Sequence, residues 1–314
     1  MLVVIATVVY FGIIRSPSSD TSVVIAAAGD IACDPAYPTF NNGAGSINDC
    51  HEKATSDVIG QIKPVAVLAL GDIQYVHGTA SNYAQSYNPT WGRYKNITYP
   101  AIGNHEGGEG GTNKAYFDYF GSRAGDRTKG YYSYNLGAWH IVVLNSNCGE
   151  YSFNGSHDLC EKGSAQELWL QQDLAAHPTE CTMAYFHVPR FASGLDQHND
   201  ANSDHTLVTL WDDLYASGVD VILNGHAHEY ERFAPMNPAG HSDPERGIRE
   251  FVVGTGGDND DNRFGAVVPN SEVRINDSFG VLQMTLHNSS YDWKFVNDGS
   301  PGATNNDSGT ASCH

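Results

Sequence analysis

Five short blocks of this chain end in side chains that can hold a metal ion, and each follows an apolar run. They are Gly29-Asp30, Gly71-Asp72-Ile73-Gln74-Tyr75, Gly103-Asn104-His105-Glu106, His187-Val188-Pro189-Arg190 and Gly225-His226-Ala227-His228. Carboxylate, phenol, amide and imidazole are donors for hard and borderline cations. Two such cations side by side can clamp both oxygens of a phosphoryl displacement. The blocks therefore point to metal-assisted hydrolysis of a phosphate ester.

Each block carries its own physical logic. A carboxylate offers two oxygens, so Asp72 can bridge two cations, and the glycine before it lets the backbone turn sharply. In an extended Gly225-His226-Ala227-His228 the two imidazoles point the same way and can reach neighbouring cations. Asn104 supplies a neutral oxygen, and His105 sits one residue on, where it can face a substrate. Taken singly, a Gly-Asp is a turn, an Asn-rich stretch is a turn and His187 is a satisfied core histidine. The joint occurrence of all five at strand ends carries the reading.

The elements that must position them follow from hydrophobic pattern. Residues 22–28 and 65–70 are continuous apolar runs that predict buried strands ending at Asp30 and Asp72. Thr98 to Ile102 leads into Gly103, Ala184 to Phe186 ends at His187, and Val219 to Leu223 ends at Gly225. Helices are predicted from about Asp49 to Ile62, at Ala165 to Ala176 with Leu168, Leu170 and Leu174 inward, and from about Thr206 to Ala216. A hairpin is expected around Gly137, and strands at Arg249–Val253, Val281–Leu286 and Tyr291–Val296. Ligands of open α/β sheets gather beyond the carboxyl ends of strands, so the edge of one sheet could gather all five blocks. Gly254-Thr255-Gly256-Gly257 has no helix pattern after it and reads as a turn near the site.

Composition bounds the partners. Seventeen Lys and Arg oppose 36 Asp and Glu among 314 residues, a formal charge of −19. No basic cluster is present to track a nucleic-acid backbone, so long nucleic acid is excluded as a partner and a small phosphate ester is expected. Six cysteines at wide spacing, without a CxxC pair, suit an oxidising compartment. Fifteen pairings exist; Cys33–Cys50 and Cys148–Cys160 each flank a loop rich in Gly, Asn and Asp, and Cys181–Cys313 would pin the C-terminal tail. Buried free thiols in a cytosolic enzyme are the alternative.

Leu2 to Ile14 is almost wholly apolar and is followed by Arg15-Ser16-Pro17-Ser18-Ser19. Its length fits a signal-peptide core and falls short of the roughly 20 residues of a spanning helix. No basic residue precedes it and no clear A-x-A site follows, so a cleaved signal and an uncleaved anchor both stay open. The expected organisation is a signal-like or anchor segment at 1–20, a catalytic domain at 21–297 and a polar tail without a core at 298–314. The expected location is secreted or extracytoplasmic, with membrane contact only through an uncleaved N-terminal segment.

The five blocks, in this order, resemble the motifs of the calcineurin-like metallophosphoesterases over roughly residues 22–290. Many of that family open with D-x-H, where this chain has Asp30-Ile31-Ala32. Tyr75, three residues after Asp72, is similar to the tyrosine of the purple acid phosphatase branch. The resemblance implies a four-layer α/β/β/α sandwich with two mixed sheets. It implies one cation held by Asp30, Asp72, Tyr75 and His228, and a second held by Asp72, Asn104, His187 and His226. It implies His105 as general acid or substrate-positioning group and a metal-bound hydroxide as nucleophile. Two ions per chain are implied, iron at the tyrosine with zinc, manganese or a second iron beside it. The chain departs from the branch where Cys33 replaces a glycine and Arg190-Phe191 replaces Trp-Tyr. Arg190 could bind a phosphate oxygen or pair with an acid; His198, in the polar loop from Asp196 to Asp204, could form a substrate rim. The expected reaction is phosphomonoester hydrolysis, with a phosphodiesterase or nucleotide hydrolase on the same centre, or a non-catalytic secreted metal- or ligand-binding protein, as alternatives.

Overall fold

The structure, a computed structural model, describes residues 22–107, 112–149, 151–195, 201, 203–258, 263–300 and 306–314. The N-terminal segment 1–20 and His198 lie outside the described residues. No helix among the described residues is long and apolar enough to cross a membrane.

The strands, in chain order, are β1 (Val23–Ala28), β2 (Ala66–Leu70), β3 (Thr98–Ala101), β4 (Tyr132–Leu136), β5 (Trp139–Val143), β6 (Cys181–Tyr185), β7 (Gly194–Leu195) and β8 (Val221–Asn224). They continue with β9 (Tyr230–Phe233), β10 (Arg249–Val253), β11 (Arg263–Phe264), β12 (Ser271–Ile275), β13 (Gly280–Leu286), β14 (Ser290–Asn297) and β15 (Ser308–Ser312). A six-stranded sheet has the order β15-β14-β13-β1-β2-β3, and a seven-stranded sheet the order β12-β9-β10-β8-β6-β5-β4. Both are mixed. β1, β2 and β3 run parallel, with β13 antiparallel against β1. β5, β6, β8 and β10 run parallel, flanked by antiparallel β4 and β9.

Alternation along the strands builds the layers. Ile141, Val143, Met183, Tyr185, Val221 and Leu223 join the core that contains Ile25, Leu68 and Met284 of the other sheet. Their neighbours Val142, Ala184 and Ile222 face the opposite way and pack with Leu170, Leu174, Leu210 and Trp211 of two helices, Ala165–Ala176 and Val208–Ala216. On the six-stranded sheet the covering helix is Glu52–Ile62, which places Val58 and Ile59 in the shared core. The result is the four-layer α/β/β/α arrangement. Helix Ala165–Ala176 starts at a Ser164 cap whose hydroxyl accepts from the Glu167 amide at 3.1 Å. Its Leu168 is 47% exposed, contrary to the inward placement expected for it.

The polar C-terminus does not trail from the fold. β15 pairs with β14, and Asp307 is buried, accepting from Tyr230, Trp293 and Arg232. Backbone pairing and one buried carboxylate hold this segment where apolar side chains do not. Cysteines pair as Cys33–Cys50, Cys148–Cys160 and Cys181–Cys313, and the last ties β15's end to the start of β6.

Candidate metal centre

Parallel strands aim their carboxyl ends the same way, and the blocks follow directly. Asp30 lies two residues beyond β1, Asp72 two beyond β2 and Asn104 three beyond β3. His187 lies two beyond β6 and His226 two beyond β8. The expectation that one sheet edge gathers all five is corrected here: three blocks come from the six-stranded sheet and two from the seven-stranded sheet, so the cluster spans the gap between the two edges.

The local backbone is shaped for close approach. Asp30, Asp72 and His226 have φ of 59°, 45° and 70°. Non-glycine residues rarely adopt this region, and such strain concentrates at functional sites. Gly71, at φ 89°, brings the chain so near His187 that a Cβ there would stand 2.6 Å from its ring. A Cβ on Gly225 would stand 2.6 Å from Asp30 Oδ2.

Asp72 is the hub. Its Oδ2 lies 3.0 Å from His187 Nε2, accepts from the Tyr75 hydroxyl at 3.2 Å and lies 3.9 Å from His105 Nε2. Around Asp30, Oδ1 accepts from Tyr75 at 2.8 Å and lies 3.3 Å from His228 Nε2, while Oδ2 accepts from the His226 amide at 2.7 Å. The Tyr75 oxygen is 2.9 Å from His228 Nε2. On the far side of Asp72, His187 Nε2 lies 3.0 Å from Asn104 Oδ1 and 3.3 Å from His226 Nδ1. All seven expected ligands thus meet in one cluster, with Asp30, Asp72, Tyr75 and His187 buried and Asn104, His226 and His228 half-buried, and two sets share Asp72.

These spacings fit metal coordination. Bonds of about 2.0–2.2 Å at right angles put neighbouring donors about 3 Å apart. The ligand atoms of Asp72, His187 and His226 all lie within 4.8 Å of one another. Imidazole orientation agrees: His187 Nδ1 donates to Leu70 O at 3.0 Å, leaving Nε2 to the cluster, and His105 Nδ1 donates to Val76 O at 2.7 Å, leaving Nε2 facing Asp72.

The electrostatics of the cluster follow from its own side chains. Burial pushes Asp72 up, but His187 and His105 outweigh it and hold the carboxyl well below its ordinary value. Burial likewise raises Asp30, and His228 reverses the shift. Burial depresses His187, yet Asp72 lifts it to about 9. His226, with burial and His187 against it, falls to about 3. Tyr75 is driven well above its ordinary value by burial and by Asp30 and Asp72. The site therefore concentrates negative charge that a proton on His187 offsets only in part, which is the field a cation would satisfy.

Glu106 ties two blocks together: its carboxylate accepts from the amides of Gly103 at 2.7 Å, Ile73 at 2.8 Å and Asp72 at 3.0 Å. Burial and Asp72 push it up to about 7. Arg190 points its guanidinium to Pro238 O at 3.0 Å and stacks on Phe191, partners that lie outside the cluster, so this arrangement does not bring it to the site. Gly254–Gly257 runs beside Asp30, with the Asp258 amide on Asp30 O at 3.0 Å.

Sequence reasoning missed a sixth segment. Beyond β5 the chain runs through Leu144 into Asn145-Ser146-Asn147, the same pattern of apolar run followed by polar residues. Ser146 Oγ accepts from the Val188 amide at 2.9 Å, Asn147 donates to Gly103 O at 2.9 Å, and Tyr151 places its hydroxyl 3.1 Å from His226 Nε2.

A family model described as calcineurin-like phosphoesterase matches residues 23–230. Purple acid phosphatase 18 of Arabidopsis thaliana is 28% identical over 260 residues, covering 76% of this chain and 54% of that relative. Purple acid phosphatase 15 of the same plant is 29% identical over 214 residues, covering 57% and 38%. The chain thus spans about half the length of these curated relatives, or less. In fold it is similar to a purple acid phosphatase from yellow lupin (Lupinus luteus) seeds, with a TM-score of 0.71 at 19% identity, covering 95% of this chain and 55% of that one.

Proposed function

The chain belongs to the calcineurin-like phosphoesterases, and from that premise we propose that it is a dimetal-dependent phosphoric ester hydrolase acting on small phosphomonoesters. The observation that carries the proposal is the meeting of Asp72 with six further donor residues at spacings of coordinated ligands. Asp30, Asp72, Tyr75 and His228 would hold one cation, and Asp72, Asn104, His187 and His226 the other. Phenolate is a hard anionic donor and favours a trivalent ion, so iron is assigned to the tyrosine side, with zinc, manganese or a second iron on the other. Bound there, the pair would supply positive charge for the phosphoryl oxygens and acidity that makes water a nucleophile near neutral pH.

The chain's own groups do the rest. His105 is 29% exposed at its side chain, and Val76 O fixes its Nδ1–H, so Nε2 is the atom that faces a leaving alcohol and, in the imidazolium form, can give it a proton. Glu106 holds Asp72 and Gly103 in register by their amides, keeping the bridging carboxylate and Asn104 at fixed separation. Tyr75 and Asp30 set the boundary of the first set, and Leu70 O keeps His187 in one tautomer. Three disulfides support an extracytoplasmic location for this reading.

The test is metal content, a visible spectrum, and turnover of a monoester beside a diester by the purified chain. We expect two metals per chain, faster monoester turnover, and a tyrosinate-to-iron absorption band that Tyr75→Phe abolishes. A colourless active dizinc protein would refute the iron assignment and leave hydrolysis standing. Faster diester turnover would move the substrate class. Absence of turnover with two metals bound would favour a binding protein.

A further inference from the structure

Tyr151 stands apart from the five blocks in sequence and meets them in space. Its hydroxyl lies 3.1 Å from His226 Nε2, and its ring meets the imidazole edge-on, with centroids 5.4 Å apart at 79°. The other nitrogen of that ring, Nδ1, faces the cluster, 3.3 Å from His187 Nε2. A neutral imidazole has one N–H and one lone pair. A phenol can donate or accept, so it suits either tautomer; with a cation on Nδ1, the proton sits on Nε2 and the phenol oxygen accepts it. His187 has the same arrangement with a backbone carbonyl, Leu70 O, as its acceptor. His226 has a side chain in that position, and its own backbone sits at φ 70°.

The segment that delivers Tyr151 is tied to the site at further points. Ser146 accepts from Val188, next to His187, and Asn147 donates to Gly103 O, next to Asn104. The Cys148–Cys160 bond closes the loop that carries Tyr151, and the Tyr151 amide donates to Cys148 O at 3.2 Å. Three blocks of the cluster therefore share one support that begins at the carboxyl end of β5.

We propose that Tyr151 is a positioning residue that fixes the tautomer and ring orientation of His226 for the cation held by Asp72, Asn104, His187 and His226. The proposal rests on the dimetal reading above. Outer partners of metal-bound histidines typically govern metal affinity about 10–100-fold. The contacts that join Asp30, Asp72, Tyr75 and His228 to one another do not run through the Tyr151 phenol oxygen.

The experiment titrates Zn²⁺ into metal-free wild type and Tyr151→Phe, full chain, by calorimetry with a competing chelator, alongside the melting temperature of each metal-free protein. The expected result is two binding events in wild type and two in Y151F, with one event weakened about 10–100-fold, the other unchanged, and equal metal-free melting temperatures. Two events of unchanged affinity in Y151F would overturn the proposal. So would a lower metal-free melting temperature with both events weakened alike, which marks a structural role. Fewer than two events in wild type would instead sink the dimetal reading on which it depends.

Discussion

Among the described residues, two groups of histidine and aspartate bring their ligand atoms within 4.8 Å of one another, yet they are built differently. One is Asp72 with His187 and His226; the other is His140, Asp173 and His177. In the first, the His187 and His226 rings stand at 79°, so their nitrogens converge. In the second, the His140 and His177 rings stack at 12° with centroids 4.6 Å apart, so their in-plane lone pairs run side by side. The second group is also closed upon itself. His140 bridges Asn135 and Asp173 at 2.8 Å each, Ser133 donates to Asp173 at 2.8 Å, and His177 Nδ1 donates to Asp173 O at 2.8 Å. Proximity alone does not make a metal site. Lone pairs that converge from separate strand ends suit a cation, whereas a helix packed on a hairpin uses the same residue types to hold two layers together.

The sharpest way to break this contrast is to remove one aspartate from each group. Asp72→Ala should lose both cations and lower turnover at least about a thousandfold, because several kcal/mol of charge stabilisation disappear with them. Asp173→Asn should leave metal content and turnover unchanged and lower stability by about 1–3 kcal/mol, the cost of weakening buried charged hydrogen bonds. Metal analysis, steady-state rates and denaturant melts on both variants decide it. Equal losses of activity would erase the distinction.

Next in size is His105, which the first group holds at its rim. His105→Ala should keep both cations and lower kcat about 10²–10⁴-fold for a substrate with a poor leaving group. A substrate whose leaving group needs no proton should lose much less. Retained metal with equal losses on both substrates would make His105 a binding group.

The contrast also explains what was legible beforehand. Apolar runs that stop at Gly-Asp, Gly-Asn-His or Gly-His announced strand ends, and parallel strands turn strand ends into a site. β1, β2, β6 and β8 carry that signal in side chains buried along nearly their whole length. β15 carries none: Ser308–Ser312 alternates exposed and half-buried positions, and its place comes from pairing with β14 and the Cys313 bond. Tyr151 was hidden because seven residues of loop separate it from the end of β5, and a tyrosine in a loop has no periodicity. Arg190 stayed open in the sequence because a guanidinium suits a phosphate and an acid alike; here Pro238 O and the Phe191 ring take it. The division of blocks between two sheets was not written in any block, since a strand end looks the same in either sheet.

The smallest expected effect follows from how the closed group is charged. Burial pushes Asp173 up, but the hydrogen bonds from His140 and Ser133 reverse this and hold its carboxyl below the ordinary value of 3.8. A carboxyl that is more acidic in the folded chain binds fewer protons there than in the unfolded chain, so stability rises with pH through that window. Its contribution is complete above 3.8 and is lost as pH falls through the lowered folded value. The stability gap between wild type and Asp173→Asn should therefore be flat near neutrality and shrink as pH falls below the ordinary aspartate range. Denaturant melts at a series of acidic pH values measure it. A gap that stays constant through that range would mean that the loss in Asp173→Asn does not come from the charge of the carboxylate.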